Sequence, residues 1–541
     1  MKLTGAQAIV KALELENTDV CFGYPGAAIS PFYDALLDSP IRHILTRHEQ
    51  GAAHAANGYA RVTGKAGVCI ATSGPGATNL ITGIANAYMD SVPVIAITGQ
   101  VSTEFIGRDV FQEADITGAT APFCKHNYLV KKAEDIPRII KEAFHLATTG
   151  RPGPVVIDVP VDVQSRSFEF KYPENVDIRG YKPTYKGHGI QIRKVADAVR
   201  KADFPVICAG GGIIIAKASE ELRELAERRR IPVTTTLMGI GAIPSDHGLN
   251  FGMVGTHGSY TANYAVHNAD LVLILGARVG DRAMGAAGKI AQKAKIVHID
   301  IDPAEIGKNI DVSIPVVGDV RLVLSDLLEM LEEGGSDAWA GTLAKLRQER
   351  TVGADFSDGA YVNPKYLLSM LAGYIGEDAI VTTEVGQNQI WAANNFKPGK
   401  PGAFITSGGL GTMGYGLPAA VGAKFGRPGS TVVTVSGDGS FQMSMQELGT
   451  MKQFDLGIKI IVFNNHRLGM VRELQKSKHA GRYSQVFLEH NPDFIALAGA
   501  YGFQGEKISK NFEIDGALRR MTGDDRPYLL ECMVDPEEPT L

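Results

Sequence analysis

The sequence predicts an α/β protein of three doubly wound parallel-sheet domains, and three observations carry that prediction. Short apolar, β-branched runs alternate with helical patterns in three successive blocks, the pattern of strand–helix–strand units. Many of these runs end in Gly, Ser, Thr, Asp or Asn, so polar groups gather at the carboxyl ends of the strands, where open parallel sheets bind ligands. The chain has 541 residues, 44% hydrophobic and 21% charged. That length suits about three domains of ~150 residues, each with an ordinary core. The expected domains are 1–165, 186–335 and 362–541.

Charge and hydropathy exclude several classes of function. The net charge is −5 with no long run of one sign, so neither nucleic acid nor an anionic membrane is an expected partner. No apolar stretch approaches the ~20 residues of a membrane span. Residues 1–20 read as an amphipathic helix with Thr4 as N-cap, not as a signal peptide. The five cysteines are scattered and odd in number, and most fall on expected strands as small core residues. That usage fits a reducing cytoplasm.

In the first block, strands are expected at 20–22, 41–45, 68–72, 92–98 and 154–159. The first runs into the turn Gly23-Tyr24-Pro25-Gly26, and the second into Thr46-Arg47-His48-Glu49-Gln50 and a small-residue helix, GAAHAANGYA. The third runs into Ser73-Gly74-Pro75-Gly76-Ala77-Thr78-Asn79. Three strand ends thus converge on one edge. Glu49, taken alone, is an acid favoured at a helix start by the helix dipole. Residues 162–189, with two prolines, several charges and little periodicity, read as a linker.

The second block places strands at 206–209, 233–236, 271–275 and 296–301. Its first strand ends in Gly210-Gly211-Gly212 ahead of a helix at 219–229. A glycine-rich turn in that position serves either a tight connection or a nucleotide. The stretch 334–363 is polar around a short helical pattern.

The third block holds the most informative stretch, 431–465: TVVTVSGDGSFQMSMQELGTMKQFDLGIKIIVFNN. An apolar run ends in Gly437-Asp438-Gly439, an amphipathic segment follows, and a second run ends in Asn464-Asn465. Read as strand, helix, strand, it sets Asp438 and Asn465 side by side. A carboxylate and a carboxamide are hard oxygen ligands suited to magnesium holding a substrate's phosphates. Glycines beside Asp438 let the backbone approach a diphosphate. Upstream lie two further Gly-containing turns, Glu384-Val385-Gly386-Gln387-Asn388-Gln389 and Thr406-Ser407-Gly408-Gly409-Leu410-Gly411-Thr412-Met413-Gly414.

Together, Gly437-Asp438-Gly439 and Asn464-Asn465 match the signature of thiamine diphosphate enzymes. The stretches FGYPGAAISPFYDAL and RHEQGAAHAANGYARVTGKAGVCIATSGPGATNLITGIANAYMDSVPVIAITGQV closely resemble the amino-terminal domain of acetohydroxyacid (acetolactate) synthase large subunits. The resemblance runs over nearly the whole chain. It implies metal ligation by Asp438, Asn465 and the backbone carbonyl of Arg467. It implies diphosphate contacts from Gly386, Gln387 and Asn388, and further cofactor contacts from Tyr24, Pro25, Gly26, Gly411, Gly437, Gly439, Ser440 and Met470. Met413 would wedge beneath the cofactor and bend it. Glu49 would hydrogen-bond the aminopyrimidine ring and start the proton shuttle that ionises the thiazolium carbon, a task suited to a buried carboxylate of raised pKa.

The same resemblance, through TTTLMGIGAIPSDHGLNFGMVGTHGSYTAN, LILGARVGDRAMG and VHIDIDPAEIGKNIDVSIPVVGD, implies an FAD without net redox role. Its matching positions are Arg151, Gly210, Gly211, Gly212, Thr236, Leu237, Gly255, His257, Gly276, Arg278, Arg282, Asp300 and Asp319. Arg282 would bind the acceptor's carboxylate, with Phe111 and Gln112 lining the substrate channel. Some positions depart from the family pattern. Gly280 replaces an acidic residue, Asn388 a histidine, Leu474 a tryptophan that favours 2-ketobutyrate as acceptor, and Val161 a channel lysine; Ser102 stands for a channel proline.

The implied reaction is decarboxylation of pyruvate and ligation of the resulting two-carbon unit to a second 2-keto acid. The product is 2-acetolactate, or 2-aceto-2-hydroxybutyrate from 2-ketobutyrate. Glu49 and the metal site come from different subunits in the family, which implies a homodimer or a dimer of dimers. A regulatory small subunit is a further implied partner. The alternatives are another thiamine diphosphate carboligase or decarboxylase, a flavin-linked pyruvate oxidase, and a non-catalytic homologue, against which Glu49, Asp438 and Asn465 all speak.

Overall fold

The structure, a computed structural model, describes residues 1–284, 293–350 and 359–541. Gly285, at the end of one of the quoted motifs, and residues 351–358 of the polar stretch 334–363 lie outside the described residues.

Three six-stranded, all-parallel sheets account for the architecture. In the first, the strand order is Arg42–Leu45, Val20–Gly23, Gly67–Ala71, Val94–Gln100, Val155–Pro160, His126–Leu129. The third repeats that winding: Phe404–Ile405, Ile380–Thr383, Val432–Gly437, Ile458–Asn464, Tyr528–Met533, Gln504–Ile508. The middle sheet is wound differently, as Asn250–Met253, Val233–Thr235, Pro205–Ala209, Leu271–Leu275, Lys295–Asp300, Ile314–Val317. Numbered along the chain, the outer sheets read 2-1-3-4-6-5 and the middle one 3-2-1-4-5-6, the order common in dinucleotide-binding folds. Each sheet reverses direction beside its first strand, and a crevice opens there at the carboxyl ends.

Several sequence expectations need correction. The stretch 162–189 begins ordered: a helix, Val161–Ser165, leads into Ser167–Glu169, which pairs antiparallel with Lys2–Thr4. The segment after Asp438 is not one amphipathic helix. It breaks into Asp438–Phe441, a turn of 3-10 helix at Met445–Glu447, and Leu448–Gln453, because the chain bends at Ser444 to bury Glu447. A short helix, Gly211–Ile215, precedes Ser219–Arg229. Thr4 does cap Gly5–Leu15, with a reciprocal bond from Gln7. All five cysteines are buried and unpaired.

The first and third sheets share one hydrophobic core, running from Phe22, Ile44 and Val94 to Leu417, Ile460 and Phe494. At its centre, helix Glu49–Thr63 lies against Gly416–Gly426, both built of small residues. A Cβ on Gly422 would stand 1.8 Å from the Ala55 carbonyl oxygen, and one on Gly58 2.1 Å from that of Ala419. Only glycine allows the two backbones so close. Polar contacts flank the crossing: Tyr415 donates to Asn57 at 2.8 Å, and Arg61 forms a buried ion pair with Asp90 at 3.0 Å. Among the described residues no helix is long and apolar enough to cross a membrane.

Candidate functional site

The crevice of the third sheet opens between Ile380–Thr383 and Val432–Gly437, and residues expected to hold a metal and diphosphate meet there. Gly386, at φ 149°, turns the chain from the first of these strands into helix Gln387–Asn395. Gly437 turns the second into the short helix that starts at Asp438. Two helix N-termini therefore face one crevice, an arrangement that favours anions. On the neighbouring strand, Asn465 follows Ile458–Asn464.

Asp438 is 1% exposed, and burial pushes its carboxyl up to about 6 while a hydrogen bond from Asn491 (Nδ2–Oδ2, 2.7 Å) opposes the shift. No Lys or Arg among the described residues pairs with it. His466 nearby also opposes the shift. A buried carboxylate without an ion-paired Lys or Arg is costly, and this donor set fits a cation. Asn465 Nδ2 donates to Gln387 Oε1 at 3.0 Å, and its Oδ1 accepts from Arg467 N at 3.1 Å. Ser440 Oγ accepts from Gly437 N at 3.2 Å, and a Cβ on Gly439 would strike Leu468. Met470 is half-buried at the start of helix Gly469–Lys478.

Asn388 corrects an expectation. Its side-chain NH2 donates to the carbonyl oxygens of Glu384 (2.9 Å) and Val435 (3.1 Å), so it is not aimed at a phosphate. The side chain ties two strand ends together, and what it offers an anion is its backbone N–H in the first helical turn. Glu384 has a role that sequence reasoning missed. Its buried carboxyl accepts from Gly414 N and Gly416 N at 2.7 Å each, and from Ser444 Oγ, fixing the loop of Gly411 and Met413. Burial pushes it up to about 7 against those donors. Met413 is half-buried and Gly411 exposed.

The first sheet's crevice opens between Val20–Gly23 and Gly67–Ala71. Glu49 begins helix Glu49–Thr63 one strand further on; it is half-buried rather than buried, and Asn79 Nδ2 donates to its Oε2 at 2.9 Å. Gly76 lies so close that a Cβ there would be 3.5 Å from Glu49 Oε1, and Gly26 packs on Thr72. Tyr24 and Pro25 are exposed at the rim. Gln112 is held at φ 60° against Gly74, whereas Phe111 is 87% exposed. Among the described residues no hydrogen bond or ion pair links Glu49 to Asp438, Asn465 or Met413. The two crevices belong to separate sheets of the chain.

In the middle sheet, Gly210, Gly212 and Gly276 flank the crevice, but their first reason is packing: a Cβ on Gly210 would stand 2.2 Å from the Gly276 oxygen. Arg151 is committed to Asp302 (3.1 Å) and Glu305 (2.8 Å), and Asp319 caps helix Val320–Met330. Asp300 accepts from Asp302 N, and burial raises its carboxyl to about 6. Arg278 is the feature that fits an anionic dinucleotide, being half-buried with no ion-pairing carboxylate among the described residues. Thr236 is buried, while Leu237 packs partly buried against the third domain's core. Gly255, at φ 118°, backs onto Arg282. Burial, and then Arg282, lower the His257 pKa, with Glu473 opposing, and its carbonyl oxygen accepts from Asn394 Nδ2 on helix Gln387–Asn395 at 3.0 Å. Arg282 itself is exposed. A Cβ at Gly280 would meet open space, so the missing acidic side chain leaves no packing defect.

A cleft of about 600 Å³ at the opposite ends of the first sheet's strands is lined by Glu16, Asp19, Lys65 and Lys141. Those charges already pair among themselves.

Two parallel sheets with the same winding, one presenting Glu49 and the other a crevice with Asp438, Asn465 and Gln387, fit a thiamine pyrophosphate enzyme. Family models agree along the chain: the N-terminal TPP-binding domain matches residues 3–119, the central domain 192–327 and the C-terminal TPP-binding domain 384–532. A probable acetolactate synthase large subunit of Methanocaldococcus jannaschii is 50% identical over 99% of this chain and 93% of its own length. The isozyme 2 large subunit of Escherichia coli K12 acetolactate synthase is 46% identical, over 99% of this chain and 96% of its own length. The acetolactate synthase of Mycobacterium bovis is also 46% identical, over 98% and 88% respectively. The chain belongs to the acetolactate synthase large-subunit family of thiamine pyrophosphate enzymes.

Proposed function

We propose that this chain decarboxylates pyruvate and joins the two-carbon unit to a second 2-keto acid, forming 2-acetolactate, or 2-aceto-2-hydroxybutyrate with 2-ketobutyrate. The observation that carries the reading is Asp438, a buried carboxylate with no Lys or Arg ion-paired to it among the described residues, at a crevice faced by two helix N-termini. Thiamine diphosphate, when bound, supplies the carbanion chemistry of decarboxylation and ligation. Asp438 and the Asn465 carbonyl oxygen would hold magnesium, and the first backbone N–H groups of Gln387–Asn395 would meet the diphosphate. Glu384 would keep Met413 in place under the cofactor's rings. Glu49, steadied by Asn79, would hold and pass a proton at the pyrimidine end. Arg282 would take the acceptor's carboxylate.

Glu49's partial exposure at the rim of the first sheet's crevice supports an assembly of at least two copies, each covering the other's Glu49. Arg278 and the strand order of the middle sheet support FAD there, with no step assigned to it. A regulatory small subunit is proposed from the relatives' designation as large subunits. A cytoplasmic setting is supported by five unpaired, buried cysteines.

The test is product analysis of the purified protein with thiamine diphosphate, Mg²⁺ and pyruvate. Acetolactate is expected. Acetaldehyde alone, or no product, would overturn the reading, and oxygen uptake would point instead to a flavin-linked oxidase.

A further inference from the structure

We propose that Glu473 is a positioning residue that sets which end of the Asn465 amide faces the metal. The inference rests on the cofactor site proposed above. A carboxamide can turn either its oxygen or its NH2 group toward a cation, and only the oxygen is a ligand. Neighbours decide which. Asn465 Nδ2 donates to Gln387 Oε1 at 3.0 Å, and its Oδ1, which accepts from Arg467 N at 3.1 Å, keeps a second lone pair for the ligand position; the Gln387 contact is the side-chain half of that orientation. Gln387 is itself an amide with the same ambiguity, and it is fixed from behind. Its Nε2 donates to Glu473 Oε1 at 3.1 Å and to the Glu538 carbonyl oxygen at 2.9 Å.

A carboxylate and a carbonyl accept and cannot donate. They admit only the NH2 end of Gln387, which turns its oxygen to Asn465, which must then answer with its own NH2. Acceptor-only groups at one end thus fix two amides in series. Space enforces the pairing as well, since a Cβ on Gly469 would stand 1.7 Å from Gln387 Oε1.

Glu473 is anchored in turn by the segment 537–540. Thr540 donates its N–H to Oε1 at 2.8 Å and its hydroxyl to Oε2 at 2.5 Å. Trp391 Nε1 donates to the Pro539 carbonyl at 3.0 Å, Lys365 pairs with Glu538 at 3.1 Å, and Arg472 pairs with Glu537. Trp391 therefore sits in the same network and is a built-in reporter.

Two neutral replacements separate acceptor from charge. Glu473→Gln keeps a carbonyl for Gln387 and Thr540 N, and its NH2 can donate to the Thr540 hydroxyl. Glu473→Leu removes both carboxylate oxygens and leaves Gln387 Nε2 only the Glu538 carbonyl oxygen. Mg²⁺ is titrated into the full-length protein with saturating thiamine diphosphate, followed by tryptophan fluorescence. Expected is at least a ~10-fold weaker Mg²⁺ affinity for the Leu variant and a value within ~3-fold of wild type for the Gln variant, the scale of outer-shell effects on metal sites. A Leu variant equal to wild type, or a Gln variant as weak as Leu, would overturn the inference. If the Leu variant does not fold, Thr540→Val carries the test: about threefold weakening supports it and no change overturns it. Wild-type protein that binds no Mg²⁺ with thiamine diphosphate would refute the cofactor reading itself, a separate outcome.

Discussion

The first and third sheets are wound alike, yet their crevices are finished to different degrees. In the third, Asp438, Asn388, Glu384 and Gln387 are buried and each is fixed by named hydrogen bonds. In the first, Glu49 has Asn79 for a partner and remains partly exposed, with Phe111 standing out in solvent. The same strand order thus supports a cluster of buried, hydrogen-bonded polar side chains in one place and a partly exposed carboxylate in the other. The difference teaches that winding sets where a crevice opens, whereas the side chains behind it set whether one chain can complete it.

The sharpest way to break the comparison is to remove the key acid from each half. Asp438→Ala should weaken joint binding of Mg²⁺ and thiamine diphosphate by at least ~100-fold, since a ligand as well as its charge is lost. Glu49→Gln should leave that binding within a few-fold and lower kcat by roughly 10²–10⁴, the range of acid–base catalysis. Calorimetric titration and steady-state rates, run on both variants, read the contrast. If Glu49→Gln turned over like wild type, the two-half reading would fail.

Next in size is the joint between the halves. Gly422→Ala would push a methyl group to 1.8 Å from the Ala55 oxygen, into backbone that cannot move as a side chain can. Overpacking of this kind costs about 3 kcal/mol. Because the first and third sheets share one core, a thermal melt should move as a single transition to lower temperature. A melt in which only one half shifts would show the cores to be independent.

A smaller effect, with a pH signature, is expected at Glu384. Its carboxyl is raised from an ordinary 4.5 to about 7 by burial. The folded state therefore holds a proton that the unfolded chain releases, and this contribution is complete below about 4.5 and lost as pH rises through 7. Across that interval each pH unit removes about 1.4 kcal/mol, so the loss is on the order of 3 kcal/mol. Glu384→Gln keeps one acceptor for several backbone N–H groups and should destabilise by about 1–3 kcal/mol. Its deficit against wild type should shrink between pH 5 and 8, because the Glu384 contribution is lost over that window only in wild type, while the other raised carboxyls titrate alike in both. Melts at both pH values test this, and a constant deficit would contradict the buried proton.

How much of this is open to sequence reading depends on how local its cause is. Val432–Gly437 and Ile458–Asn464 announce themselves as apolar runs, and Asp438 and Asn465 follow directly from where those runs stop. Edge strands such as Phe404–Ile405 and His126–Leu129 are two to four residues long and carry no such pattern. Asn491 and Asp438 are 53 residues apart, and Gln387 and Glu473 86, so no spacing hints at either bond. Asn388 reads as a phosphate donor because its type allows it; the two carbonyls that take its NH2 come from different strand ends and are visible only once folded. The small-residue helix at Glu49–Thr63 is evident in the sequence, but its partner Gly416–Gly426 lies some 360 residues on.

The smallest expected effect concerns the second substrate, where the third sheet's crevice meets solvent. Leu474 is 48% exposed on helix Gly469–Lys478, next to Glu473, and presents a short aliphatic side chain. Tryptophan at that position would add apolar area without displacing buried neighbours, and 2-ketobutyrate exceeds pyruvate by one methylene. A methylene in a hydrophobic pocket is worth about 1–3 kcal/mol at most, and a half-exposed position recovers only the lower part of that range. Leu474→Trp should therefore raise the 2-ketobutyrate to pyruvate product ratio about fivefold in a competition assay, with kcat for pyruvate alone little changed. An unchanged ratio would mean that the acceptor is bound elsewhere, and would direct attention to Arg282, Phe111 and Gln112 on the uncovered side of the site.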